Sequence, residues 1–288
     1  MFVVGNVYSL LKRAGTFLKS KGLSEPESDA EVLLSFVLQT KRSKLPLIRR
    51  QKLTDIQVLQ YEKYILRRSK REPAAYITGL AGFMDFEFKV NKNVLIPRPE
   101  TEILVETALK LAKKENKNSA LDLCTGSGCI AVSLAKLGKF KDIMASDVSG
   151  SALEIAKENA RINNALDINF VKSDVFGGIS GKSFDIIVSN PPYVSYEEYD
   201  ALESELKYEP EIALTADDSG LFFYKKIAGK AGRYLKDNGF ILIELNAYKA
   251  GEIKQVFSTG GYKNIEIIKD YAGSPRILKA ESNFLMGN

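Results

Sequence analysis

The chain has 288 residues, 45% of them hydrophobic, and a formal net charge of +5 at pH 7. This length supports one large core and one smaller core, so we expect two domains. The chain contains no histidine, which excludes Ser-His-Asp and Cys-His nucleophile systems, histidine general bases and His-ligated zinc.

Two further features of the composition limit the possible functions. Cys124 and Cys129 lie five positions apart, which matches neither a paired-cysteine zinc site nor a redox pair, so we expect reduced thiols and no metal centre. No segment reaches the apolar length that a bilayer requires. We therefore expect a cytoplasmic protein without membrane contact, and nothing in the sequence demands more than a monomer.

Residues 1–80 are predicted to form a small all-helical domain. Apolar residues recur at spacings of three and four, as in Leu10, Ala14 and Leu18, and Gly22 interrupts the pattern. This segment carries 15 lysines and arginines against 7 acidic residues, whereas the remainder carries 26 against 29. The first domain is therefore basic, a balance that suits an acidic partner but is also typical of solvated helix faces.

A β-hairpin linker is predicted over residues 81–97. Apolar and charged residues alternate over 86–90, residues 91–93 offer an Asn-Lys-Asn turn, and 94–96 are apolar again. This pattern predicts two antiparallel strands with the turn at 91–93.

From residue 98 to residue 288 the sequence predicts an α/β domain in which strands and helices alternate. The alternation is typical of a doubly wound sheet, which binds ligands at the carboxyl ends of its strands. The predicted strands are 119–123, 142–146, 168–171, 184–189, 239–245, 263–269 and 276–280. The predicted helices are one from Glu100 onward, 128–137, 150–163, one after Ser219, and one near 249–257.

The first strand of this domain ends in a glycine loop, Asp122 to Gly128. Gly126 and Gly128 allow backbone torsions and ligand approach that a side chain would block. The spacing alone fits a dinucleotide as well as S-adenosylmethionine. Asp122 favours S-adenosylmethionine, because a carboxylate repels a pyrophosphate but attracts the ammonium and sulfonium charges of the methyl donor.

Acidic residues also follow the next two strands. Asp147 lies 19 residues after Gly128, where a carboxylate can accept hydrogen bonds from both ribose hydroxyls of either cofactor. Asp174 follows the third strand and can accept the adenine amino group. Together with Asp122, these carboxylates predict one ligand-binding rim.

The tetrapeptide Asn190-Pro191-Pro192-Tyr193 follows the apolar strand 184–189 and is the most specific element. Two prolines fix the backbone and supply no N–H, so carbonyl oxygens remain as acceptors. A planar NH2 group is a poor nucleophile because its lone pair is delocalised. The Asn190 side-chain oxygen and the Pro191 carbonyl can each accept one of its N–H groups while Tyr193 packs against the plane. The tetrapeptide therefore predicts methyl transfer to an amide or amine nitrogen.

Nearly the whole chain resembles the release-factor glutamine methyltransferases, also called the HemK family. The resemblance is carried by Arg71 to Gly79, by the linker motif Val94 to Glu102, and by the tetrapeptide. Shorter matches in family order include Glu209-Pro210, Gly220-Leu221, Ile243-Glu244, and Asp270 with Gly273 and Arg276. Cys124 departs from the pattern, because the family generally has glycine there.

The resemblance implies a class I methyltransferase domain that uses S-adenosylmethionine and releases S-adenosylhomocysteine. It implies that the substrate is the glutamine of the Gly-Gly-Gln loop in class 1 peptide chain release factors, and that the helical domain recognises the release factor. Asn190, Pro191, Pro192 and Tyr193 would hold the substrate and serve catalysis. With the carboxylates above, the expected cofactor contacts are Asp122, Cys124, Thr125, Gly126, Ser127, Gly128, Asp147, Asp174, Val175 and Asn190.

Three alternatives remain open from the residues. An amino methyltransferase acting on adenine in DNA or RNA would use the same tetrapeptide, but the acidic balance of the catalytic half disfavours nucleic acid as a partner. A glutamine in a ribosomal protein is a closer variant. An NAD-dependent oxidoreductase or a nucleotide-binding module would use the glycine loop and Asp147, but would leave the tetrapeptide without a role.

Overall fold

The structure is a computed structural model and describes residues 5–283. The outer ends of the two predicted domains, residues 1–4 and 284–288, lie outside the described residues. Two compact units are present. The first contains residues 5–80 together with Glu203–Tyr208, and the second contains the remaining described residues.

The first unit is built from helices. Two of them begin at side-chain caps: the amide N–H of Ser9 donates to Asn6 Oδ1 (2.9 Å), and Thr54 forms a capping box with Gln57. Leucines and isoleucines of these helices, with the fully buried Tyr61, form one apolar core. The helices are α1 (Val7–Ser20), α2 (Pro26–Val37), α3 (Asp55–Arg68) and α4 (Ala74–Thr78), with a 3-10 helix at Arg42–Ile48.

The hairpin lies earlier in the chain than predicted. Its strands are β1 (Leu80–Phe83) and β2 (Phe86–Lys89), which form a two-stranded sheet. The predicted turn at 91–93 is present, since the Val94 amide donates to the Asn91 carbonyl at 3.1 Å. The predicted second strand at 94–96 is wrong, because these residues belong to no strand. Phe83 and Phe88 are both buried and pack edge to face at 6.1 Å. The alternation at 86–88 was a valid strand signal, but its partner precedes it.

The second unit contains a seven-stranded sheet, which confirms the predicted doubly wound α/β class. The strands are β3 (Ser119–Leu123), β4 (Asp142–Asp147), β5 (Ile168–Lys172), β6 (Phe184–Ser189), β7 (Leu235–Glu244), β8 (Lys263–Lys269) and β9 (Pro275–Glu281). Their order is β5-β4-β3-β6-β7-β9-β8. The first five strands in this order are parallel, and β9 runs antiparallel to both β7 and β8.

Helices cover both faces of this sheet, so the central strands are buried on both sides. Alternate residues of one strand enter different cores: Ile186 and Val188 pack into one, and Ile187 into the other. The helices are α5 (Pro99–Lys114), α6 (Cys129–Leu137), α7 (Gly150–Ile162), α8 (Tyr196–Asp200), α9 (Phe222–Ala231) and α10 (Ala250–Thr259). The short helix α8 was not predicted.

The described residues contain neither a membrane-spanning helix nor a cluster of metal ligands. No helix in residues 5–283 has the length and apolar character needed to cross a membrane. Within the same range, no group of three or more histidine, cysteine, aspartate or glutamate residues is placed to hold a metal ion.

Candidate active site

A cavity opens at the carboxyl ends of β3, β4, β5 and β6, at the edge where parallel α/β sheets bind ligands. Its empty volume, counting the open mouth, is about 1080 Å³, which is large enough for a ligand built on a nucleoside. Of the predicted site residues, the cavity is lined by Cys124, Thr125, Gly126, Ser127, Asp147, Asp174, Val175, Asn190 and Pro192. It is not lined by Asp122, Gly128, Pro191 or Tyr193.

The glycine loop joins β3 to α6 with unusual backbone torsions. Cys124 has a φ of 60°, Gly126 of 53° and Gly128 of 82°, all in the left-handed region. A Cβ on Gly128 would lie 3.0 Å from Ala156 Cβ, whereas one on Gly126 would meet nothing within 4 Å. Gly128 is therefore required for close packing of the helices, and Gly126 leaves the cavity side of the loop open to a ligand.

Asp122 lies beneath the loop and is fully buried. Its Oδ2 accepts hydrogen bonds from Thr125 Oγ1 (2.6 Å) and from the Ala131 amide (3.2 Å). Burial raises the pKa of Asp122 to about 7, although these two hydrogen bonds oppose the rise. Asp122 holds the loop from below, and its predicted direct contact with the cofactor stays a prediction.

Asp147 ends β4 on the cavity wall. Its Oδ2 accepts a hydrogen bond from the Gly126 amide (2.9 Å), and its Oδ1 accepts one from the Ser149 amide (2.9 Å). Burial raises the pKa of Asp147, and the hydrogen bonds from the backbone oppose that rise. Each carboxylate oxygen keeps further acceptor capacity, so the side chain can still accept hydrogen bonds from a ligand. Its predicted contact with the ribose hydroxyls stays a prediction.

Asp174 and Val175 follow β5 at the same edge. The Asp174 carboxylate is 63% exposed and pairs with Lys226 Nζ at 2.7 Å. Val175 is buried at a φ of 54°, a conformation that is costly for a β-branched residue and is held by its surroundings. Both residues line the cavity, and their predicted contacts with adenine stay predictions.

The tetrapeptide after β6 is held at both ends. The Asn190 side chain lies on the cavity wall, and its Nδ2 donates to Thr101 Oγ1 at 3.1 Å. Pro191 and Pro192 are buried. At the other end, the Tyr193 and Val194 amides both donate to the Leu214 carbonyl (3.2 and 2.9 Å).

The Tyr193 ring packs against the core that contains α9 and α10. Desolvation raises the pKa of the Tyr193 phenol well above its ordinary value, so the ring stays neutral. The predicted packing of this ring on the substrate stays a prediction.

Two family models match parts of the chain. Residues 9–79 match the family model described as the PrmC N-terminal domain, and residues 99–208 match the methyltransferase small domain. The chain is 43% identical to a release factor glutamine methyltransferase of Lactococcus lactis, over 81% of this chain and 86% of that protein. It is 36% identical to one of Aquifex aeolicus, over 96% and 98%.

The chain belongs to the release factor glutamine methyltransferases. The family predicted from the sequence and the predicted enzyme class are therefore confirmed. A solved methyltransferase of Pyrococcus furiosus shares the fold, with a TM-score of 0.53 and 21% identity, over 70% of this chain and 92% of that one.

The methyltransferase has cavity residues that the sequence interpretation missed. Arg98 and Thr101 come from the linker motif, which was recognised by resemblance but not assigned to the site. Arg98 pairs with the buried Glu209, whose Oε2 also accepts from the Ile96 amide (2.9 Å). The other missed lining residues are Asn93, Val94, Leu95, Pro97, Cys129, Ile130, Val148, Ser149, Ala152, Ser173, Pro210, Ile212, Ala213 and Phe223.

The residues present fit S-adenosylmethionine. The open side of Gly126 leaves room for close approach to the backbone, and the Asp147 carboxylate stands on the wall with acceptor capacity for hydroxyl groups. Both features also suit other nucleoside ligands. Membership of a methyltransferase family decides between them.

Proposed function

We propose that this methyltransferase transfers a methyl group from S-adenosylmethionine to the side-chain amide nitrogen of the glutamine in the Gly-Gly-Gln motif of class 1 peptide chain release factors. The observation that carries the proposal is the similarity to release factor glutamine methyltransferases over nearly the full length of both chains. The position of Asn190 on the cavity wall supports the reaction type.

The substrate nitrogen is the chemical difficulty. An amide lone pair is delocalised into the carbonyl, so the nitrogen attacks slowly unless it is oriented and its developing positive charge is stabilised. In the proposed mechanism Asn190 Oδ1 and the Pro191 carbonyl each accept one N–H of the glutamine amide. Methyl transfer would form the N–C bond while the sulfur–methyl bond breaks, and both acceptors would stabilise the positive charge that develops on the nitrogen. One N–H proton would then be released to water, so no side chain is assigned as a general base.

The cofactor residues are also part of the proposal. S-adenosylmethionine, when bound, supplies an electrophilic methyl group on a sulfonium. Asp147 would accept hydrogen bonds from the ribose hydroxyls, Val175 would pack against the adenine, and the Asp174 carboxylate would accept a hydrogen bond from the adenine amino group. The loop from Cys124 to Gly128 contacts the amino-acid end of the cofactor, and Asp122 acts beneath that loop.

The three segments predicted from the sequence have different proposed tasks. Residues 1–80 recognise the release factor, residues 81–97 serve as the linker, and residues 98–288 carry out methyl transfer. The charge of the first segment, 15 basic against 7 acidic residues, suits an acidic partner surface and speeds encounter with it.

Mass spectrometry tests this function directly. The enzyme is incubated with a class 1 release factor and isotope-labelled S-adenosylmethionine, and the release factor is digested. We expect one added methyl group on the glutamine of the Gly-Gly-Gln peptide, and none on a release factor in which that glutamine is replaced by glutamate. Methylation of an adenine-containing oligonucleotide instead of the release factor would refute the proposal.

A further inference from the structure

Behind Asn190 lies a chain of two hydrogen bonds. Asn190 Nδ2 donates to Thr101 Oγ1 (3.1 Å), and Thr101 Oγ1 donates to Glu244 Oε2 (2.6 Å). Thr101 lies in the first turn of α5, and Glu244 is the last residue of β7. Both are only 2% exposed, so the first turn of α5, the end of β7 and the tetrapeptide meet at a largely buried site.

The order of donors along this chain fixes the orientation of the Asn190 amide. An ionised carboxylate can only accept, so the single hydroxyl proton of Thr101 must point at Glu244. Thr101 then offers only lone pairs toward Asn190, and the NH2 side of the amide must face it. Oδ1 is left on the other side, available to a substrate N–H. A flipped amide would present its own NH2 to the substrate NH2, and two donors repel each other.

We propose that Thr101 and Glu244 are positioning residues that together determine which atom of the Asn190 amide meets the substrate nitrogen. This inference rests on the proposed function, in which Asn190 Oδ1 accepts from the glutamine amide. Neither residue touches the reacting atoms. They act through Asn190, and the requirement at position 101 is a hydroxyl group that donates and accepts at once.

The charge of Glu244 provides a test that a merely structural role would not pass. Burial raises the pKa of Glu244 to about 7, while the hydrogen bond from Thr101 opposes the rise. Protonated Glu244 can itself donate to Thr101, which frees the Thr101 hydroxyl proton to point at Asn190 and favours the flipped amide. The other ionisable groups that interact with the charge of Glu244 are Glu100, Arg98, Arg276, Tyr193, Tyr224 and Cys129.

Substitutions at position 101 separate the hydroxyl group from the packing. Thr101→Val keeps the shape and removes the hydroxyl, Thr101→Ser keeps the hydroxyl, and Thr259→Val removes an exposed hydroxyl that donates only to backbone carbonyls of its own helix. The assay measures kcat and KM for the full-length release factor, the dissociation constant of S-adenosylmethionine, and the melting temperature. Thr101→Ala is a second loss of the hydroxyl, for use if the valine variant does not fold.

We expect Thr101→Val to lower kcat at pH 8 by roughly 10- to 100-fold, the scale of a misoriented catalytic group, with cofactor affinity within about twofold. Thr101→Ser and Thr259→Val should stay within about threefold of wild type in kcat. The loss in Thr101→Val should shrink at pH 6, where Glu244 is protonated and the wild-type orientation is already weakened.

Three results would overturn the role. The first is an unchanged kcat in Thr101→Val. The second is a kcat that is as low in Thr101→Ser as in Thr101→Val. The third is a loss of kcat in Thr101→Val that is equal at pH 6 and pH 8. If the wild-type enzyme methylates the release factor and the kcat of Thr101→Val is unchanged, only this inference is refuted. Wild-type enzyme that leaves glutamine unmethylated would refute the proposed function, and this role with it.

Discussion

Gly220 supports the tetrapeptide from behind, and adding one methyl group there should damage both stability and turnover. A Cβ at this position would lie 2.3 Å from the Tyr193 carbonyl oxygen, whereas real contacts essentially never fall below 3.0 Å. The carbonyl would have to move by about 0.7 Å or more. The φ of Gly220 is +83°, which adds backbone strain for any residue with a Cβ.

These two terms set the expected magnitude for Gly220→Ala. Overpacking against backbone costs about 1–3 kcal/mol, and the left-handed torsion about 1–2 kcal/mol. A total of about 2–5 kcal/mol corresponds to a melting temperature lower by roughly 4–20 °C for a unit of this size. Displacement of Tyr193 also shifts the neighbouring acceptors, so kcat should fall by about 10- to 100-fold.

Gly229→Ala is the matched control. Gly229 lies in α9, is exposed, and has nothing within 4 Å of an added Cβ. Removing a glycine from a helix interior stabilises by about 1 kcal/mol, so this variant should melt slightly higher and turn over normally. The assay is differential scanning calorimetry together with methyl transfer well below the melting temperature. A Gly220→Ala variant with wild-type melting and turnover would refute the close-contact reasoning.

Three further predictions address the site. Asn190→Ala should lower turnover by more than about tenfold, or 1.4 kcal/mol in barrier, with a smaller effect on cofactor binding; turnover closer to wild type would rule out Asn190 as the key acceptor. Asp147→Ala should raise the S-adenosylmethionine dissociation constant by about 10- to 100-fold, because hydrogen bonds to a carboxylate are lost; calorimetric titration that gives an unchanged constant would contradict this. The raised pKa of Asp122, from 3.8 to about 7, means that the folded state keeps a proton that the unfolded state releases. Raising the pH from about 4 to about 7 should therefore destabilise wild type relative to Asp122→Asn, with a constant difference above pH 7; parallel melting-temperature profiles for the two proteins would disprove it.

The sequence predicted the sheet well because burial on both faces leaves a strong signal. All six residues of β6 are buried. Short buried runs of this kind, alternating with helical patterns along the chain, indicate a parallel sheet. The pairing of the hairpin strands was harder to predict from the sequence. Alternation over 86–88 identifies a strand but not its partner, and here the partner comes before it. The missed helix α8 does carry a visible signal, since Ser195 and Glu198 form a capping box.

The sequence predicted those site residues that directly follow the strands of the parallel sheet. Parallel strands bring their carboxyl ends to one edge, so Asp147, Asp174 and Asn190 lie on one cavity. The depth of Asp122 beneath the loop depends on helix packing, which spacing does not encode. The role of Thr101 was equally hidden, because its partners lie 89 and 143 positions away in the chain.

The central claim is that two fixed oxygens hold both hydrogens of a planar nitrogen. A crystal structure with S-adenosylhomocysteine and an unmodified Gly-Gly-Gln peptide tests it most directly. We expect the glutamine amide nitrogen to lie about 3 Å from Asn190 Oδ1 and from the Pro191 carbonyl oxygen. A bound glutamine whose nitrogen contacts neither oxygen would contradict the account.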